Sequence, residues 1–72
     1  MKAEDYHEEF RDLEGIMVRI TLYKIAGDFY CHIYNADPGA TIARASANDR
    51  ETALQQALEK ATARIARSVK RD

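Results

Sequence analysis

The residues with which this chain could do chemistry are few: two histidines, one cysteine and 12 acids. Cys31 and His32 are neighbours, so on a strand their side chains point to opposite faces and cannot readily share an ion. His7 lies far from both, and no paired Cys or His spacing marks a metal site. There is no glycine-rich phosphate loop, no nucleophile motif and no carboxylate pair in an evident pocket. Asp37 beside Pro38 is more simply a turn former than an acid or base. A body of 72 residues also leaves little room for a concave, water-excluding site. The chain is therefore expected not to be an enzyme and to hold no metal or cofactor.

Two other groups of side chains are better suited to contact than to catalysis. Arg19, Thr21, Tyr23, Tyr30, His32 and Tyr34 alternate along two apolar-patterned segments, and would share one face of a sheet. Aromatic rings with nearby cations can stack on nucleic-acid bases. The same set serves as a protein interface, where Tyr and Arg are favoured anchors. A third reading folds the N-terminal segment over this face through Tyr6 and Phe10. The second group, Lys60, Arg64, Arg67 and Arg71, steps by four, three and four and so lines one side of a helix. Such a stripe contacts nucleic acid or an acidic partner, or is solvated and compensates the negative end of the helix dipole.

These side chains must be positioned by a small number of elements. Leu54, Ala57, Leu58, Ala61, Ile65 and Val69 recur at three- and four-residue steps, which predicts an amphipathic helix from Asn48 to about Val69. Asn48 is suited to cap it, with Glu51 reaching back in a capping-box-like pair. Such a helix is marginal alone and needs a surface to cover its stripe. From Ile16 to Ile25 the period changes to two: Ile16, Val18, Ile20 and Leu22 point one way, Met17, Arg19, Thr21 and Tyr23 the other. Phe29 to Asn35 alternates likewise. Gly27-Asp28 between them reads as a two-residue type II′ loop, which would pair Leu22 with Ile33, Tyr23 with His32 and Thr21 with Tyr34. Asp37-Pro38-Gly39 is a turn signal, and Ala40 to Ser46 a weaker third strand whose buried face the alanines leave undecided. Ala3 to Leu13 reads as a short helix on Tyr6, Phe10 and Leu13, stopped at Glu14-Gly15, or as a frayed tail.

Composition bounds the rest. An apolar fraction of 46% argues against disorder, and 32% charged residues against a membrane protein. No apolar run approaches the roughly 20 residues of a membrane helix. The acidic start shows no apolar leader and the lone cysteine cannot close an internal disulfide, so a reducing, cytoplasmic setting is expected. The net charge of −1 conceals a separation: residues 1–14 carry six acids against two bases, and residues 60–72 five bases against one acid. One domain over 1–72 is expected, a βββα core at 16–70 preceded by an acidic helix or tail at 1–14. Its fold class is α+β, with a three-stranded antiparallel sheet and the C-terminal helix on one face. So small a domain buries only about 60% of its unfolded surface, and dimerisation would hide more.

The stretch Gly27-Asp28-Phe29-Tyr30, the turn Asp37-Pro38-Gly39 and the helix opening Asn48 to Ala53 with its Glu51 resemble HicB-like antitoxins. Those antitoxins carry a shortened double-stranded-RNA-binding-domain fold. The resemblance spans roughly residues 16 to 66; a second glycine expected before the helix is replaced by Arg44-Ala45-Ser46-Ala47. It implies a small toxin as partner and antitoxin-type regulation. Activity on double-stranded RNA is not expected, because Asn48-Asp49-Arg50-Glu51 stands where such domains present lysines to phosphates. The residues thus predict a homodimer, or a domain that binds a small protein partner, acting through Arg19, Tyr23, Tyr30, His32 and Tyr34. The alternative is a nucleic-acid binder using the basic stripe and the tyrosines.

Overall fold

A computed structural model describes residues 4–36 and 40–69. Four strands, β1 (Glu4–Leu13), β2 (Ile16–Ile25), β3 (Asp28–Asn35) and β4 (Thr41–Ala47), precede one helix, α1 (Arg50–Val69). The strands form an antiparallel meander in the order β1-β2-β3-β4. The class is α+β as expected, but the sheet has four strands rather than three.

The extra strand corrects the reading of the N-terminal segment, which is neither a helix nor a tail. Three apolar side chains at helical spacing are too few to hold a helix against a core. The free edge of β2 instead offers a full ladder of backbone hydrogen bonds, and Leu13 meets Ile16 across it. Glu14 and Gly15, expected to stop a helix, form the hairpin loop. Both have positive φ, 53° and 84°, and the Gly15 N–H donates to Asp12 Oδ1 at 3.0 Å. A bulge between Glu4 and His7 bends the strand's start, where Asp5 has φ 52°.

The β2–β3 register differs from the expected one by two residues. Leu22 faces Cys31, Tyr23 faces Tyr30 and Thr21 faces His32, and Ile25 and Asp28 close the ladder. The loop is Ala26-Gly27, with φ 52° and 89°, so both residues take the left-handed conformation of a type I′ turn. This register puts Ile20 opposite Ile33 and Tyr23 opposite Tyr30, and Lys24 sits 5.5 Å above the Phe29 ring. A slip of two preserves side-chain parity. The aliphatic face and the tyrosine face are therefore composed as the alternation predicts.

β4 runs from Thr41 to Ala47 rather than Ala40 to Ser46, and its inward face is now defined. Ala43, Ala45 and Ala47 lie opposite Ile33, Cys31 and Phe29, beneath α1. The Asp37-Pro38-Gly39 turn lies outside the described residues; the Asn35 N–H closes across it to the Ala40 carbonyl at 2.8 Å. The cap of α1 is Asp49, not Asn48. Its carboxylate accepts from the Thr52 N–H at 3.3 Å and from the Thr52 hydroxyl at 3.0 Å, and its carbonyl accepts from the Ala53 N–H. A carboxylate there also meets the positive end of the helix dipole.

The buried row of α1 is Ala53, Ala57, Ala61 and Ile65, one step round from the expected stripe, with Leu54 and Leu58 half-buried beside it. Small side chains let the helix lie close over β3 and β4. Together they enclose Val18, Ile20, Cys31 and Ile33, all fully buried. Among the described residues, no helix is long and apolar enough to cross a membrane.

Candidate interaction surfaces

Because α1 packs on one side of the sheet, no described element covers the other. Parity places Phe10, Asp12 and Glu8 of β1 on that open face, beside Met17, Arg19, Thr21 and Tyr23 of β2. Tyr30, His32 and Tyr34 of β3 and Arg44 and Ser46 of β4 continue it. The five side chains singled out in the sequence are thus brought together. Tyr6 and Phe10 do not fold over the face. Carried there by β1, they widen it, and with Met17 they are 62%, 63% and 50% exposed.

The rings form a continuous ladder. Tyr23 stacks on Tyr30 with centroids 5.5 Å apart and on His32 at 5.6 Å, and His32 stacks on Tyr34 at 6.1 Å. The planes lie within 16° of parallel. Arg19 ends the row, its guanidinium 4.9 Å from the Tyr34 centroid. Arg19 Nε also lies 3.4 Å from Glu8 Oε2, an ion pair without hydrogen-bond geometry. With their faces turned on one another, the inner rings offer edges rather than planes to a ligand. That suits a packed interface better than base stacking.

His32 is held mostly as the neutral base. Burial lowers its pKa first, and the nearby Arg44 charge lowers it further. In the neutral tautomer with the proton on Nδ1, Nε2 accepts from the Tyr23 hydroxyl, 2.9 Å away. Cys31 points the other way, into the core. Burial there, with a smaller contribution from the Glu9 charge, pushes its thiol up to about 11, far from a reactive thiolate.

The second predicted group lies elsewhere. Lys60, Arg64 and Arg67 flank α1 on the side that overhangs β4, and with Thr41, Ile42, Ala43 and Arg44 they line a groove along the outer edge of that strand. Arg71 is outside the described residues. Sequence reading missed Arg44, which links the two surfaces; once Ala43 is known to face inward, alternation puts Arg44 beside His32. The acids gather at the opposite edge of the sheet. There His7 and Arg11 flank Glu9, at 3.0 and 2.8 Å. The His7 hydrogen bond and then Arg11 hold the Glu9 carboxyl below its usual range.

No family model, curated protein or solved structure matches the chain. The surfaces themselves must carry the functional reading. Among the described residues no group of three or more His, Cys, Asp or Glu is placed to hold a metal ion.

Proposed function

We propose that this chain is a small, non-enzymatic protein-binding domain that works as a homodimer, two copies packing their open sheet faces together. One observation carries the reading: no described element covers a sheet face rich in Tyr and Arg, and Tyr6, Phe10 and Met17 are exposed beside the stacked ladder. Strands of seven to ten residues, about 23–33 Å long, in a sheet about 15 Å across, offer roughly 400 Å² in flat projection. Side-chain relief raises that toward the ~800 Å² per partner of a stable interface.

Charge supports one arrangement over others. A two-fold axis parallel to the strands lays β1 of each copy over β4 of its partner. Glu8, level with Arg44 through Thr21 and His32, then approaches Arg44 of the second copy twice over. An axis across the strands sets β1 on β1 and acid on acid. The resemblance of residues 16–66 to HicB-like antitoxins extends the proposal to antitoxin-type regulation, with a small toxin as the bound protein.

Sedimentation equilibrium tests the dimer. The wild-type chain sediments as a dimer at 100 µM, and Phe10→Asp, at a position exposed in the monomer, shifts it to monomer without loss of circular dichroism. A monomeric wild type at that concentration ends the proposal.

A further inference from the structure

The groove along β4 lies on the helix side of that strand, away from the open sheet face, and has a chemistry of its own. Lys60, Arg64 and Arg67 line it with positive charge from α1, Arg44 borders it at the strand edge, and among the described residues no acid lines it. It runs beside a strand edge that no described strand pairs, because β4 is the last strand of the sheet. The hydrogen-bond phase shows which backbone groups face outward. The Ala36 N–H donates to the Met17 carbonyl, so even-numbered residues of β3 bond to β2 and odd-numbered ones to β4. Ala43, Ala45 and Ala47 therefore bond inward, and Arg44 and Ser46 direct their N–H and C=O groups to the free edge. Lys60 Nζ, donating to the Arg44 carbonyl at 3.3 Å, agrees with that phase.

Edge strands are often blunted by a lysine, and Lys60 does this at one carbonyl. Blunting does not call for Arg64 and Arg67, which continue the positive charge along the groove. We infer that the β4–α1 groove binds an acidic, extended segment of a partner protein, which adds to the sheet as a fifth strand beneath the Arg64 and Arg67 guanidiniums. Main-chain bonds to the Arg44 N–H and to Ser46 would supply the docking, the Arg44 carbonyl being held by Lys60, and carboxylates at alternate positions would meet the cations. A second copy's β1 is a poorer occupant despite its charge. Its Glu9 and Asp12 are engaged at home, with His7 and Arg11 and with the Gly15 N–H, and its Glu8 lies on the open face that the dimer uses. The inference deepens the protein-binding reading by naming the partner's chemistry at a surface apart from the dimer face.

Titration of the ¹⁵N-labelled chain with a capped (Glu-Val)6 peptide tests it, with the oligonucleotide dT12 run alongside. The peptide is expected to shift the Arg44 and Ser46 amides and the Arg64 and Arg67 Nε signals. Arg64→Glu with Arg67→Glu should weaken binding at least tenfold, and Arg64→Gln with Arg67→Gln less. Ser46→Pro removes an outward N–H without touching the ladder, and should weaken the peptide while the sheet stays intact. The inference is overturned if (Glu-Val)6 causes no shifts at millimolar concentration, if its binding survives the charge reversal, or if dT12 alone moves these signals. Sedimentation of the same variants reads the dimer separately, so failure at the groove and failure of the dimer are distinguishable.

Discussion

The sharpest test of the fold is a single methyl group in the β2–β3 loop. Ala26 holds φ at 52°, where its Cβ crowds the following carbonyl, at a cost of about 1–2 kcal/mol. Ala26→Gly removes that strain and loses about 0.4–1 kcal/mol through the freer unfolded chain. The net effect is stabilisation of roughly 0.5–1 kcal/mol, a rise in Tm of about 4–8 °C per kcal/mol for a domain this small. If Gly27-Asp28 were the loop, residue 26 would be extended and the same substitution would destabilise by roughly 0.5–1 kcal/mol. The two registers thus differ in sign, and urea and thermal unfolding at one fixed protein concentration decide between them. A lower Tm for Ala26→Gly would refute the register, and with it the Tyr23–Tyr30 pairing. Gly27→Ala serves as the control. Nothing lies within 4 Å of the added Cβ, so its destabilisation, of about 1 kcal/mol, is conformational alone.

The helix cap offers a second contrast: Asp49→Ala should cost about 1 kcal/mol in urea unfolding, while Asn48→Ala should be close to neutral, and the reverse order would displace the cap by one residue. The lowered pKa of His32 means that the unfolded chain takes up its proton first, so stability should decline as pH falls through about 6.5 and level off once the folded form is also protonated. His32→Gln should flatten that slope in unfolding measurements between pH 8 and 5. The dimer should loosen over the same range, because the new charge sits beside Arg44 and in the ring stack. Cys31 should resist alkylation by iodoacetamide in native buffer and react fully in urea; rapid native labelling would contradict its place in the core.

What was readable in the sequence follows from periodicity. Strict alternation in Ile16–Ile25 and Phe29–Asn35 defines two faces, and a loop shifted by two residues leaves both intact. Turn chemistry was less decisive, because a Gly-Asp signal competed with an Ala-Gly loop whose left-handed alanine no propensity favours. β1 was hidden for a related reason. Its alternation is polar on both sides, and its place in the sheet comes from pairing with β2 rather than from its own pattern. The outward group of tyrosines, His32 and Arg19 could be assembled from parity alone. Arg44 could not, since a strand of alanines carries no sign of which side faces the helix.

β1 gathers acids at one rim of the molecule and the β4–α1 groove gathers bases at the other, so a nearly neutral molecule has a lateral charge separation. In dilute buffer such molecules attract one another rim to rim, a tendency that added electrolyte screens within about 10 Å at 0.1 M. Solubility of this chain should therefore increase between 10 and 150 mM sodium chloride, the reverse of what its hydrophobic surface alone would dictate.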